Sequence, residues 1–84
     1  MPNTSPPLLP VYRFRRIDGA RNMARFYIVP LEPTLFGEVA VLRHWGRIGT
    51  HGRQALSLCA SRAEAEKMLA RQIARRRRHG YVEA

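Results

Sequence analysis

The sequence is poor in cysteine and in long apolar runs. Its one cysteine, Cys59, excludes an intramolecular disulfide and is typical of a chain that works in a reducing compartment. No apolar run approaches the roughly 20 residues that a membrane span requires. The first ten residues contain four prolines and no positively charged segment of the kind that begins a secretory signal. We therefore expect a cytoplasmic protein that has no membrane partner.

Acidic residues are also few. Six Asp and Glu stand against fifteen Lys and Arg, and the acids are too scattered to form the paired carboxylates of general acid–base catalysis. No nucleophile stands beside a base, and no glycine-rich phosphate loop opens a helix. The separations of His44, His51, His79 and Cys59 match no short metal-ligand spacing such as Cys-x-x-Cys. The sequence thus predicts a protein without catalytic residues, metal site or cofactor.

The cations exceed the acids by enough to give a formal net charge of +9. Lys67 is the single lysine, and all the other cations are arginines. A GC-rich genome explains the choice of Arg over Lys, but it does not explain the excess over acids. Because a guanidinium can hold a phosphate through two hydrogen bonds, this composition favours nucleic acid as the partner.

The alternation of apolar and polar residues predicts one α+β domain over residues 11–84, preceded by a flexible proline-rich arm at residues 1–10. Its expected architecture is an antiparallel sheet of four to five strands with one C-terminal helix packed across one face. Pro30 cannot donate to a ladder, so it predicts an edge or a bulge at the end of the second strand. The predicted strands are 11–17, 25–31, 38–45 and 53–59.

The predicted helix begins after Ser61, which together with Glu64 matches a capping box. Gly80 is the expected left-handed cap at the other end. Arg76 continues the apolar stripe by one turn, which indicates that the helix end overhangs the edge of the sheet. The stripe itself, which we expect to pack on the sheet, contains Ala65, Met68, Leu69 and Ile73.

Trp45, Gly46 and Arg47 stand where the third predicted strand meets a hairpin. From the residues alone, the tryptophan is as typical of a core position as of an exposed platform, where stacking contributes about 1–3 kcal/mol per base. Gly46 predicts a bulge or a close approach of two backbones. The hairpin brings Arg43 and Arg53 near Arg47, and these three arginines form a candidate phosphate cluster.

Four consecutive arginines make the densest charge run of the sequence. The helix macrodipole accounts for one or two cations at a helix end, not for four. Because successive helical residues point about 100° apart, the run predicts a charged collar suited to non-specific attraction to phosphate. The run consists of Arg75, Arg76, Arg77 and Arg78.

Four ordered segments together resemble the WGR domain family over roughly residues 11–82. The helix that begins after Ser61, rich in alanine and cations, resembles the family's helix, and Gly80-Tyr81 resembles its closing Gly-Tyr. Arg25 departs from the family, which usually has lysine there. The two other matching segments are Asn22-Met23-Ala24-Arg25-Phe26-Tyr27, which resembles Asn-x-x-Lys-Phe-Tyr, and Trp45-Gly46-Arg47-Ile48-Gly49, which resembles Trp-Gly-Arg-(Val/Ile)-Gly.

This resemblance implies an antiparallel sheet with one helix across it. In poly(ADP-ribose) polymerases the domain helps to recognise DNA ends, and the Trp and Arg of the motif contact the strand near its terminus. By position, that role falls on Trp45 and Arg47, so we expect the indole to be exposed. The predicted function is a nucleic-acid-binding module, for DNA and at ends or nicks. The alternative is a protein-interaction module whose Trp45 surface docks on a separate catalytic partner.

Overall fold

A computed structural model describes residues 11–84, and the predicted arm at residues 1–10 lies outside the described residues. Five antiparallel strands form one sheet in the order β4-β3-β2-β1-β5, and one helix, α1, follows the fourth strand. This architecture confirms the predicted α+β class. The elements are β1 (Val11–Asp18), β2 (Met23–Pro33), β3 (Val39–Arg47), β4 (Arg53–Cys59), α1 (Arg62–Arg78) and β5 (Val82–Glu83), with a short 3-10 turn at Gly19–Arg21.

Side chains alternate between two faces of the sheet, as the period-two pattern predicts. One face, the helix-bearing face, packs against α1 and contains the hydrophobic core. On the other, the open face, no helix formed by residues 11–84 packs. Ten buried side chains build the core: Phe14, Tyr27, Val29, Leu31, Val39, Val41, Cys59, Ala65, Leu69 and Tyr81.

The helix crosses the sheet diagonally. Near its start, the Met68 sulfur lies 4.0 Å from the Cys59 sulfur on β4, and near its end Arg77 pairs with Glu83 on β5. Since β4 and β5 are the two edges of the sheet, α1 runs from one edge to the other. It leaves uncovered the corner of the helix-bearing face at the hairpin between β3 and β4.

Both predicted caps of α1 are confirmed. The Ser61 hydroxyl accepts a hydrogen bond from the Glu64 amide at 3.2 Å, and the Glu64 carboxylate accepts one from the Ala60 amide at 3.1 Å. Gly80 follows the last turn with a φ of +85°, as a left-handed cap requires. In the part of the chain that the structure describes, no helix has both the length and the apolarity needed to span a membrane.

Pro30 lies inside the sheet, so the predicted edge or bulge is wrong. β2 is a central strand, paired with β1 on one side and β3 on the other. Pairing with β3 lapses between Ile28, opposite His44, and Leu31, opposite Val41, and resumes in the same register. The missing amide of proline is therefore accommodated by a short gap in one ladder, with no shift of the strand.

Candidate functional site

The Trp-Gly-Arg motif forms the last three residues of β3, within the strand and not in the hairpin. Trp45 lies opposite Tyr27, and Arg47 lies opposite Arg25 on β2. The indole is half-buried: it projects from the helix-bearing face and packs against the margin of the core. Trp45 is thus partly a core residue and partly an exposed one, because one side of the ring contacts the core and the rest faces solvent.

Two glycines bring the hairpin backbones into contact behind the indole. A Cβ on Gly46 would lie 2.6 Å from the Cα of Gly52. A Cβ on Gly52, whose φ is +69°, would lie 2.2 Å from the Trp45 carbonyl oxygen and 2.8 Å from the Phe26 ring. No side chain fits at either position. The close backbone approach expected at Gly46 is confirmed, and it fixes the main chain that supports Trp45.

Arg47 links the end of β3 to the turn between β1 and β2. Its guanidinium donates one hydrogen bond to the Asn22 carbonyl oxygen at 3.1 Å and another to the Asn22 side-chain oxygen at 3.3 Å. Asn22 adopts a left-handed conformation, with φ +51°, in the turn between β1 and β2. Because a guanidinium has five N–H donors, Arg47 keeps donors for a further partner, and it is exposed.

Five arginines lie on the helix-bearing face at the end of the sheet that carries Trp45; we call this set the arginine corner. Strand register places Arg16 opposite Arg25, Arg25 opposite Arg47, and Arg53 opposite Trp45. Like charges directly opposite each other on a sheet are destabilising. None of the ion pairs among residues 11–84 includes a member of the corner. The corner consists of Arg16, Arg25, Arg43, Arg47 and Arg53.

Arg43 lies deepest in the arginine corner. Its guanidinium carbon is 5.9 Å from the centroid of the Trp45 ring, within the range of a cation–π interaction. Its Nε is buried and has no hydrogen-bond partner among the described residues. A polar group left in this state is costly, and the ring of Trp45 is the neighbour that stabilises the Arg43 charge.

A shallow cavity of about 500 Å³ opens in the arginine corner. Trp45 and Gly46 form part of its wall, and Thr50 and Gly52 from the hairpin complete it. The cavity is therefore positively charged and has one aromatic surface, which suits a phosphate joined to a sugar or a base. Three arginines of the corner line it: Arg25, Arg47 and Arg53.

Sequence reasoning brought Arg43, Arg47 and Arg53 together, and the structure does place these three on one face. It missed Arg16 and Arg25. The alternation of β1 and β2 carried a signal for both residues, because each has the same parity as the core residues of its strand. The signal was incomplete without the register, which sets the two side chains opposite each other and beside Arg47.

The four arginines at the end of α1 have different surroundings, so they do not form one continuous charged collar. Arg76 lies over two aromatic rings, 4.5 Å from the Tyr27 centroid and 5.6 Å from the Tyr81 centroid. The expected overhang of the helix end is therefore wrong, because cation–π contacts keep Arg76 on the core. Arg77 donates to the Glu83 carboxylate at 2.9 Å. Of the four arginines of the run, Arg75 and Arg78 are the two that have exposed side chains and no carboxylate partner among the described residues.

The remaining motif residues support the fold. Tyr27 is buried, and its hydroxyl donates to the Gln72 side-chain oxygen at 3.2 Å. Phe26 faces the open side, where its ring meets the His44 ring edge-on at 5.0 Å. Gly49 lies in the turn after β3, and Tyr81 is buried in the core.

The comparisons with known proteins point to one family. The family model of the WGR domain matches residues 11–84. An uncharacterized protein of Sinorhizobium fredii, y4dW, is 39% identical over 66 residues, which cover 79% of the chain and 32% of that relative. The chain thus spans about a third of the length of the curated relative it matches. No solved structure matches the chain.

Proposed function

The chain belongs to the WGR domain family, and from this premise we propose that it binds nucleic acid through the arginine corner and Trp45. The WGR domain is a non-catalytic module, and in poly(ADP-ribose) polymerases it binds nucleic acid. For this chain we propose DNA as the ligand, bound at ends or nicks, with no catalytic activity of its own.

One observation carries the proposal: five arginines without a carboxylate partner among the described residues share one end of the helix-bearing face with a half-buried indole. Three of these arginines stand side by side across three strands, an arrangement that repels itself in the free protein. A phosphate backbone removes that repulsion. The exposed surface of Trp45 supplies a stacking platform for a sugar or base at the same place.

The roles of the side chains follow from their positions. Arg25 and Arg53 are exposed on either side of the cavity, where they contact phosphates directly. Arg47 contacts phosphate with the donors that Asn22 leaves free, and Arg43 supports the indole from the core side. These contacts go to phosphate and to a ring face, so they provide affinity without reading a base sequence.

Fluorescence anisotropy with blunt, nicked and circular duplexes at two salt concentrations tests the proposal. If about five phosphates are neutralised, affinity falls roughly 500-fold for a fourfold rise in salt. Trp45→Leu keeps apolar contact with the core but removes the ring, and we expect it to weaken binding by about 5- to 150-fold. Phe36→Ala is the matched control, because Phe36 is an aromatic residue that is 86% exposed in the loop before β3.

The outcomes separate the parts of the proposal. Equal affinity for the three duplex forms removes recognition of ends and nicks. Equal losses for Trp45→Leu and Phe36→Ala remove the indole from the interface. An absence of binding at low salt removes nucleic acid as the ligand and favours the alternative, a separate protein partner that contacts the same surface.

A further inference from the structure

A second positively charged surface lies on α1, outside the arginine corner. Arg71, Arg75 and Arg78 are spaced i, i+4 and i+7, so at about 100° per residue they lie within about 60° of one another around the helix axis. All three are exposed, and with Gln72 and Ala74 they line one shallow depression. We call these three arginines the helix ridge.

Two of the carboxylates near α1 are paired on its other flank, and Glu64, on the side of the ridge, accepts a hydrogen bond from the Ala60 amide at the start of the helix. Glu66 pairs with Arg62 at 3.0 Å, and Glu83 pairs with Arg77 at 2.9 Å. Arg76 is held by the two tyrosine rings of the core. No ion pair among residues 11–84 involves the helix ridge. The arginine run of the sequence thus contributes two residues to a ridge that begins one turn earlier.

The helix ridge and the arginine corner face the same way. Met68 contacts Cys59 on β4, whereas Arg77 contacts Glu83 on β5. At 100° per residue, the ridge lies on the Met68 flank of α1, which is turned toward β3 and β4. Gln72 connects the two surfaces, because it lines the ridge depression and accepts a hydrogen bond from Tyr27, the residue opposite Trp45.

We infer that the helix ridge is a second phosphate-binding surface, which holds a stretch of duplex backbone next to the stretch held at the arginine corner. The ridge extends about 10 Å along the helix axis, at 1.5 Å per residue. One DNA strand carries a phosphate about every 3.4 Å along the duplex axis, so the ridge spans about three phosphates. This inference rests on the proposed function and deepens it, since it adds backbone to the terminal nucleotides as part of the ligand.

The test compares two triple variants that lose the same net charge. Arg71→Gln, Arg75→Gln and Arg78→Gln remove the ridge, whereas Arg13→Gln, Arg15→Gln and Arg62→Gln remove three arginines of the open face and of the opposite flank of α1. Anisotropy with a blunt 20-base-pair duplex across a salt series gives the slope of log affinity against log salt. We expect the ridge variant to lower the magnitude of that slope by about 2.7, and affinity at 0.1 M salt by about 500-fold.

Equal slopes for the two triple variants would overturn the inference. Trp45→Leu, measured on the same duplex, keeps the two proposals apart. If it weakens binding while the ridge and control variants behave alike, only the helix ridge is removed and the proposed function stands. If the wild-type protein does not bind this duplex at low salt, both proposals fail. Thermal melting of every variant establishes that the differences in binding come from folded protein.

Discussion

The two faces of the sheet follow the same alternation but differ in what their uncovered parts expose. On the helix-bearing face, the area left free by α1 is occupied by the arginine corner. The open face exposes large apolar side chains, with Ile17 at 63%, Leu56 at 62% and Leu58 at 58% of their surface accessible, and two arginines, Arg13 and Arg15. The positive charge on the helix-bearing face is therefore concentrated by strand register and not by overall composition.

Within the helix-bearing face, the residues that stabilise the fold also differ from those that we propose bind the ligand. Apolar burial holds the helix-bearing face together beneath α1, and the exposed leucines of β4 contribute little to it. The charges at the corner weaken the free protein slightly through repulsion, and we propose that they are offset when nucleic acid binds. Substitutions on the two faces should therefore have unequal effects, even where the residue type is the same.

The largest expected effect is on stability and comes from a matched pair of leucines. Leu69→Ala removes a buried side chain of α1, which is 4% exposed, and should lower the free energy of unfolding by about 3–5 kcal/mol. Leu56→Ala on the open face should change it by less than about 0.5 kcal/mol. Urea denaturation followed by circular dichroism measures both. A similar loss for the two variants would mean that the open face is covered in solution.

The next largest effect on stability is expected at Gly52, where the two backbones of the β3–β4 hairpin are in contact. Gly52→Ala forces a Cβ against the Trp45 carbonyl oxygen in a left-handed conformation, and it should cost about 3 kcal/mol of stability. Gly49→Ala is the control, because its φ is also positive, at +94°, but no atom lies within 4 Å of the added Cβ. It should cost about 1–2 kcal/mol from conformation alone. Equal losses in thermal melting would show that the contact with Trp45 relaxes freely.

A smaller effect is expected on affinity. Arg25→Gln removes one phosphate contact of the corner, so duplex affinity at 0.1 M salt should fall about 8-fold. Arg13→Gln removes the same charge from the open face and should change affinity less than 2-fold. Anisotropy at fixed salt distinguishes the two. If both variants lose affinity equally, binding depends on net charge and not on the corner.

The smallest effect concerns the double hydrogen bond between Arg47 and Asn22. Arg47→Gln should lower the free energy of unfolding by about 1 kcal/mol, because two exposed hydrogen bonds from the end of β3 to Asn22 are lost. Arg53→Gln removes a charge from the same corner and leaves Asn22 untouched, so it should leave stability unchanged or slightly raised. A loss of the same size in both variants would argue that the effect of Arg47→Gln does not come from its hydrogen bonds to Asn22.

Much of the fold could be predicted because its signals are local. Alternation in β1 and β3 gave the correct faces, and Ser61, Glu64 and Gly80 gave the correct helix ends. The edge or bulge predicted at Pro30 was wrong because the rule for proline assumes an unbroken ladder of hydrogen bonds, whereas β2 tolerates a short gap. The contact of Arg76 with Tyr27 joins residues that are far apart in sequence, and no local pattern contains it.

The site was less predictable than the fold, and the reason is register. Alternation tells which face a residue occupies within its own strand, but not which residue of the next strand stands opposite it. Arg16 and Arg25 were therefore not predicted as site residues, although alternation places both on the face of the core residues of their strands. The double hydrogen bond from Arg47 to Asn22 could not be predicted for the same reason, since it joins the end of β3 to a turn that only the assembled sheet brings near it. That these residues bind nucleic acid stays a prediction.

The contact between Gly46 and Gly52 has a consequence for protein engineering. Because main-chain atoms alone form this contact, the peptide framework beneath Trp45 does not depend on the length or charge of neighbouring side chains. Arg25 and Arg53, which unlike Arg43 and Arg47 hold neither the indole nor Asn22, can then be exchanged for lysine, glutamine or glutamate while the backbone beneath the indole keeps its path. Ligand preference and ring placement are thereby separable, which makes this hairpin a suitable scaffold for redesigning what the surface recognises.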